Sequence, residues 1–495
     1  MVTCSNMYDL KSTPAAVSAE RCASRARSSK PRHRNSRSDV SARVLLLAAS
    51  LVALAGCASF SPDGGMGNVS TLTQERLGQQ VGYQRTDAER ESAGRTTQEL
   101  LKAPLTPETA VQVALVNNRS LQADLAELGL AEADKVEAGR ISAPQLSLSR
   151  LAGGGALEVD RSVLFNLLGL LTLPSRSHLA NAQFERAQLK AAAQAVQVAT
   201  EAREAFFDAV AAAQLVGYSS QVMETAQASR ELASRMSKAG NLSKLDELRE
   251  NAFYAQTALE RSKVQQVAVS SYERLVRALE LTSEQATALK LPDRLPDVPD
   301  ALAAQKEAEQ AAIDHRLDVL MAKRDVDATA RRLGLTQVTG YVNALDVGWQ
   351  NKSQTGQPTE HGVEVQVELP IFDFGAVNRR RAELEYRQAV DAAAAQAVNA
   401  QSQVREAYAA YRSAHDVARR LIDEVVPTRK RIAEENQLRY NGMLIDVFEL
   451  LADARNQIDS VTASVQAQRD FWQAQTRLQA SLAGSPPVER APSNR

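Results

Sequence analysis

The chain has 495 residues, with 58 Lys/Arg against 59 Asp/Glu and a formal net charge of −1. Aromatics are only 4% while alanine is abundant, a composition of long helices packed closely side by side rather than of a large mixed enzyme core. Residues 1–56 hold nine Lys/Arg and three Asp/Glu, which leaves about −7 for 57–495; a mildly acidic body gives no reason to expect nucleic-acid binding.

The chain opens on a Ser/Arg-rich stretch, 1–39, that is long for a charged leader; a start nearer Val40 would give the usual length. Arg43 then precedes the apolar run Val44 to Leu54 and Ala55-Gly56-Cys57. A charged n-region, a short apolar core and small residues at the end fit an export signal, and the run is too short to span a bilayer as a helix. Leu54-Ala55-Gly56-Cys57 resembles the bacterial lipobox, which implies cleavage before Cys57 and acylation of its thiol; a plain signal site beside an incidental cysteine is the alternative. Ala58, not Asp, follows, which by the same resemblance implies sorting to the outer membrane. Cys4 and Cys22 fall in the leader 1–56, so the mature chain keeps no cysteine for a disulfide.

Residues 57–104 are polar, rich in Gly, Ser and Thr and without apolar periodicity, and read as an extended tether. A helix is expected from Thr106-Pro107-Glu108, an N-cap followed by proline in the first turn, to about Gly139. Leu146 and Leu148 alternate with Ser147 and Ser149, Gly153-Gly154-Gly155 turns the chain, and Val163 to Leu171 reads as a returning strand or as the start of a buried helix. From Ser175 to Leu291 there is no proline, and Gly217 and Gly240 are the only glycines. A helix from roughly Ser177 to Ser237 would be about 90 Å long, which requires a coiled-coil or barrel setting.

Pro292, Pro296 and Pro299 mark a linker over 291–300. Beyond it Tyr341, Leu345, Val347 and Trp349 share one parity, interrupted by Asn343, and a polar loop from Gln350 to Glu360 is expected before Val363, Val365, Val367 and Leu369 alternate with Glu364, Gln366 and Glu368. Period-2 alternation is a strand with one greasy and one wet face, of the length that membrane barrels use, with Tyr341 and Trp349 at the interfaces. A second helical tract runs from Ala376 to Leu482, kinked at Pro427 and interrupted at Gly442; 485–495 read as a disordered tail.

The two tracts repeat each other. Arg203-Glu204-Ala205-Phe206 matches Arg405-Glu406-Ala407-Tyr408, and Gly240, Leu242, Leu245, Glu247 and Leu248 match Gly442, Leu444, Val447, Glu449 and Leu450 at the same offset. Leu173-Pro174 matches Leu369-Pro370, and Asn118-Arg119 matches His315-Arg316, at a slightly shorter one. Two similar halves follow, 105–291 and 300–484, each reading helix, strand pair, long helix, tight turn, returning helix.

Taken together, the signal, the duplication, Lys238-Ala239-Gly240-Asn241-Leu242-Ser243, Tyr440-Asn441-Gly442-Met443-Leu444-Ile445 and Leu369-Pro370-Ile371-Phe372-Asp373-Phe374-Gly375 resemble the TolC-like outer-membrane efflux family. The resemblance implies a mainly α subunit with a small membrane β-barrel part. Four strands per subunit would join a twelve-stranded barrel in a homotrimer, above a long helical tunnel. It implies outer-membrane lipid around the barrel, a periplasmic adaptor at the tips (Gly240, Asn241, Leu242, Asn441, Gly442, Met443 and Leu444), and an inner-membrane pump as energy source. The duct would serve efflux or, as the alternative, type I protein secretion; a structural coiled-coil lipoprotein without a pore is the reading from another class. The family's second-tip gate aspartates correspond to Phe448 and Leu451, so Asp446 and Asp246 are the candidate gate residues here, against a plain solvated helix face.

No enzyme chemistry is expected. His33, His178, His315, His361 and His415 lie far apart without ligand spacing, and no phosphate loop or nucleophile elbow occurs, so neither metal nor cofactor is expected.

Overall fold

The computed structural model describes residues 59–302, 315–445 and 447–484. Cys57, the leader, the tail and Asp446 lie outside the described residues.

The segment expected as an extended tether is instead folded. It forms α1 (Met66–Leu77) and α2 (Asp87–Leu100), the latter closed by a capping box between Thr86 and Glu89. Val69, Thr73, Val81, Thr97 and Leu101 are buried against the body. Few apolar residues suffice for this docking, which is why no periodicity betrayed it.

The helix expected from Thr106 is two, α3 (Pro107–Asn117) and α4 (Arg119–Ala138). Asn118 breaks them: its extended backbone ends one helix while its side chain accepts from Leu121 N and caps the next. Then come β1 (Gln145–Gly153) and β2 (Ala156–Asn166), joined through Gly154 and Gly155, both at positive φ. A two-residue turn of this kind needs both central residues left-handed, which glycine adopts freely.

Helix α5 (Leu167–Lys238) has 72 residues, about 108 Å at 1.5 Å per residue. It starts a full ten residues before the expected point. Asn166 caps it by accepting from Gly169 N, so the apolar run to Leu171 divides between strand and helix, and Pro174 sits inside the helix near its start. Helix α6 (Lys244–Ala278) returns along α5, followed by the short α7 (Ser283–Ala288).

The second half begins with α8 (Leu317–Thr339), β3 (Ala344–Gln354) and β4 (Glu360–Glu368). The strand therefore runs on into the expected polar loop, which shrinks to 355–359. Helix α9 (Ala376–Arg420) passes through one π-helical segment, Leu421–Val425, into α10 (Val426–Asn441), and α11 (Val447–Ala483) returns. Pro427 explains the interruption: it cannot donate to the carbonyl four residues back and its ring crowds that carbonyl, so the preceding turn widens.

Alanines hold the wall together. Ala191, Ala192, Ala195, Ala199, Ala202, Ala205, Ala209, Ala211 and Ala212 of α5 are buried, and α5 contacts α1, α3, α4, α6, α8 and α11. At mid-length an aromatic belt crosses both halves: Phe206, Phe207, Trp472, Phe471 and Tyr411 stack or meet edge to face at 5.1–5.5 Å. The proline linker straps across it. Leu295 and Val298 are buried, Trp472 Nε1 donates to Pro296 O at 3.0 Å, and His415 Nε2 lies 2.9 Å from Pro299 O.

The duplication is real in topology and unequal in detail. Asn118 and Arg316 occupy matching helix starts, but Arg316 is fully buried, bonding Asp318, Gln403 and Ser481 O, while its sequence match Arg119 is exposed.

Candidate functional site

The four strands form one antiparallel sheet in the order β1-β2-β3-β4, so the two hairpins sit side by side with β2 against β3. No bulge interrupts the ladders, and each cross-strand row therefore lies wholly on one face. One face is greasy. Leu146, Val163, Trp349 and Val363 form a row across all four strands, Phe165, Val347 and Val365 the next, and Leu345 with Val367 the one after. Val363 is 78% exposed and Leu146 likewise, far outside what a soluble sheet leaves bare.

The other face is wet and acidic. Glu158, Asp160, Asp346, Glu360, Glu364 and Glu368 all fall on it, with Lys352, ion-paired to Glu158, as the one cation of that face. Both arginines of the sheet, Arg150 and Arg161, and its histidine, His361, fall on the greasy face past the row of Leu146, Val163, Trp349 and Val363, where apolar and polar residues mix. The outer edges, β1 and β4, have no neighbouring strand among the described residues. Gly348 lies at the seam between the halves, where a Cβ would run into Val163 O. Below the sheet Tyr341, Ile371, Phe372 and Phe374 are exposed, Phe372 almost completely, and Arg379 stacks its guanidinium on Tyr341. Gly375 turns the chain into α9 at φ +71, so close to Gly340 O that no side chain fits.

At the far end, the first tip closes as expected of glycine: Gly240 has φ +77, and Asn241 N donates to Met236 O at 2.9 Å, a wrapped helix ending. Asn241 is exposed and Leu242 half-buried. The second tip, at Gly442, turns differently. Its φ is −82, and the left-handed residue is Met443, at φ +59. Leu444 N donates to Arg439 O at 2.8 Å there. Met443 is 93% exposed; Asn441, Leu444, Leu245 and Leu248 are exposed beside the turns.

Of the two candidate gate carboxylates, Asp246 is described, and it is engaged locally. Its backbone N–H donates to Ser243 Oγ, Ser243 Oγ donates to its Oδ2 at 2.6 Å, and Arg249 pairs with it at 3.0 Å. This is helix-start chemistry. The structurally embedded acid is Glu250. It is 2% exposed, accepts from Ser229 Oγ at 2.8 Å, and meets Arg455 of α11 at 3.6 Å, while the Arg455 guanidinium covers the Phe253 ring at 4.1 Å. Asn436 and Asp453 make a matching hydrogen bond within the second hairpin. Glu250 and Arg455 lie far apart in sequence, and such a pair leaves no local pattern there.

Among the described residues no group of His, Cys, Asp and Glu is arranged to hold a metal, and no helix is long and apolar enough to cross a membrane.

No family model and no curated protein matches this sequence. Solved structures do. A membrane protein from Pseudomonas aeruginosa superposes with a TM-score of 0.65 at 18% identity, covering 76% of this chain and 93% of its own. The outer-membrane channel OprN gives 0.64 at 20% identity over 78% and 92%, and the outer membrane protein VceC of Vibrio cholerae 0.63 at 14% over 76% and 96%. At such identities what is shared is the fold: the TolC-like arrangement of long paired helices carrying a four-stranded sheet.

Proposed function

We propose that three copies of this chain join β4 of one to β1 of the next, closing a twelve-stranded barrel in the outer membrane, and that the protein is the passive exit duct of a tripartite efflux system. One observation carries this: a sheet with a bare apolar face, an acidic face and two open edges. In lipid, unpaired strand edges are not tolerated, and closure into a barrel removes them. The apolar face then meets acyl chains and the acidic face lines water. The helices continue the wall into the periplasm. Exposed Met443, Leu444, Leu245 and Leu248 at the turns supply the apolar contact that an adaptor would cover, with an inner-membrane pump behind it.

Acylation at Cys57 adds a second hold on the membrane. Closure of the periplasmic mouth rests, in this reading, on Asp446 of each subunit, since Asp246 is committed to its helix start. The test is conductance of the purified protein in planar bilayers. Discrete ion-conducting channels, clearest after truncation of the tips, are expected; no conductance even then rejects the duct. Acyl labelling of wild type against Cys57→Ser, followed by membrane fractionation, tests the anchor: label on wild type alone is expected, and an unlabelled wild type rejects it.

A further inference from the structure

We infer that the greasy face of the sheet carries, just past its continuous apolar rows, a binding site for the phosphate of an anionic membrane lipid, built from Arg150, Arg161 and His361. The inference rests on the barrel reading above.

The argument starts from charge segregation. All six carboxylates of the sheet lie on the wet face, so the two arginines on the opposite face face no acid, and neither makes an ion pair among the described residues. Arg161 shares a row with Leu148, Asn351 and His361, immediately beyond the row Leu146, Val163, Trp349 and Val363. Arg150 lies diagonally across from it in β1, opposite Val159. All three basic side chains are exposed. A cation in the middle of an acyl-chain belt is costly, whereas one at its border meets head groups.

Length places the row at that border. From Leu369 to His361 the strand advances about 26 Å, or about 20 Å across the membrane at the usual barrel tilt, close to the depth of an outer-membrane apolar band. Tyr341, Phe372 and Phe374 stand at the helix end of that span and Trp349 near the other, as interfacial rings do.

The row is also organised. Arg161 Nη1 donates to Asn351 Oδ1 at 3.2 Å, which fixes the amide so that Nδ2 faces His361 Nδ1 at 2.9 Å. An amide nitrogen can only donate, so His361 Nδ1 accepts here and Nε2 is left to donate. Trp349 stacks on the imidazole at 5.5 Å and holds it in place. Asn351 itself is 6% exposed. The result is a fixed row of N–H donors on a cationic rim, with apolar rows directly beneath for the acyl chains. A guanidinium fork matches phosphate geometry, and charge-assisted donors of this kind are the strong ones.

The experiment uses the full-length purified protein in detergent, stripped of lipid and given equal amounts of diphosphorylated lipid A, phosphatidylglycerol or phosphatidylcholine. Retained lipid is read by native mass spectrometry for wild type and Arg150→Gln/Arg161→Gln. Wild type is expected to keep the two anionic lipids about tenfold better than phosphatidylcholine, and the variant to lose that preference. Inorganic phosphate at the same concentration should not compete. Equal retention of all three lipids by wild type, an unchanged preference in a variant that still runs as the intact oligomer, or displacement by inorganic phosphate would each overturn the inference. Wild-type conductance recorded in parallel separates the two failures: a conducting protein without lipid preference rejects only the lipid site, while a non-conducting one rejects the barrel.

Discussion

Glu250 of α6 and Arg455 of α11 meet at 3.6 Å across the two helical hairpins, the Glu250 side chain almost wholly buried and the Arg455 side chain 41% exposed, its guanidinium over Phe253. They are the closest the two tips come to a charged clasp among the described residues. The half-exposed partner limits its worth. A double-mutant cycle with Glu250→Gln and Arg455→Met, read by thermal or denaturant unfolding, is expected to give a coupling of about 1 kcal/mol. Strictly additive losses would show that the carboxylate is held by Ser229 alone.

The two tip glycines should respond differently. Gly240→Ala forces a Cβ into φ +77 and is expected to cost about 1 kcal/mol. At Gly442 the backbone is ordinary and a Cβ meets only normal contacts, so Gly442→Ala should lie within about 0.5 kcal/mol of wild type. Met443→Gly should be neutral or slightly stabilising, since it relieves a left-handed methionine. Melting temperatures of the three variants decide this; a larger loss at 442 than at 240 would contradict it.

Faces of the sheet should tolerate charge unequally. Val363→Lys puts a cation in the apolar rows and is expected to cost about 2–4 kcal/mol if that face meets lipid. Gln366→Lys, on the acidic face, should be accommodated. The readout is the yield of heat-resistant oligomer from outer-membrane fractions. Equal yields would mean that Val363 does not face acyl chains.

Acid should loosen the N-terminal helices first. Asp63 accepts from Gly67 N at 2.7 Å and Gly65 N at 3.2 Å, and these bonds hold its pKa below the usual carboxylate range. Glu89 is lowered likewise by the backbone N–H groups of Thr86 and Arg85. A depressed folded pKa contributes stability above the unfolded value and loses it as pH falls through the folded one. Hydrogen exchange over 66–100 should therefore accelerate below about pH 4, and Glu89→Gln should bring faster exchange of 87–100 already at neutral pH. Exchange that is flat with acid after correction for intrinsic rates would refute this.

Gly375→Ala should be the most damaging glycine change, because positive φ and the clash with Gly340 O act together at the entrance to α9. A loss of more than about 2 kcal/mol is expected, against no measurable change for Gly362→Ala, where space is open. Comparable melting of both variants would contradict the geometry.

Sequence patterns carried the architecture where a period was imposed by two different solvents. The alternation Val363 to Leu369 gave β4 directly, because one face is apolar and the other wet. The same logic explains why β3 was read too short: Asn351 and Ser353 lie past the apolar rows, so both faces of the strand turn polar and the alternation fades although the ladder continues. Leu167 to Leu171 misled in the opposite way, since a continuous apolar run has no period and the side chain of Asn166 decides where the helix starts. Asp246 looked like a gate because acidity is visible in sequence, while its Ser243 and Arg249 partners follow from the helix start that contains them. The interruption at Gly442 is where the sequence puts it, but the turn passes its left-handed step to Met443, and composition does not reveal that.

The strap of 291–300 across the aromatic belt divides the long helix into two arms. Trp472 and His415 grip Pro296 and Pro299 near Phe206, and from there α5 continues for about 48 Å to its tip at Lys238. On an arm of that length a sideways shift of about 5 Å at the turns requires a swing of only about 6°. Small angles at the belt therefore translate into large distances at the tips.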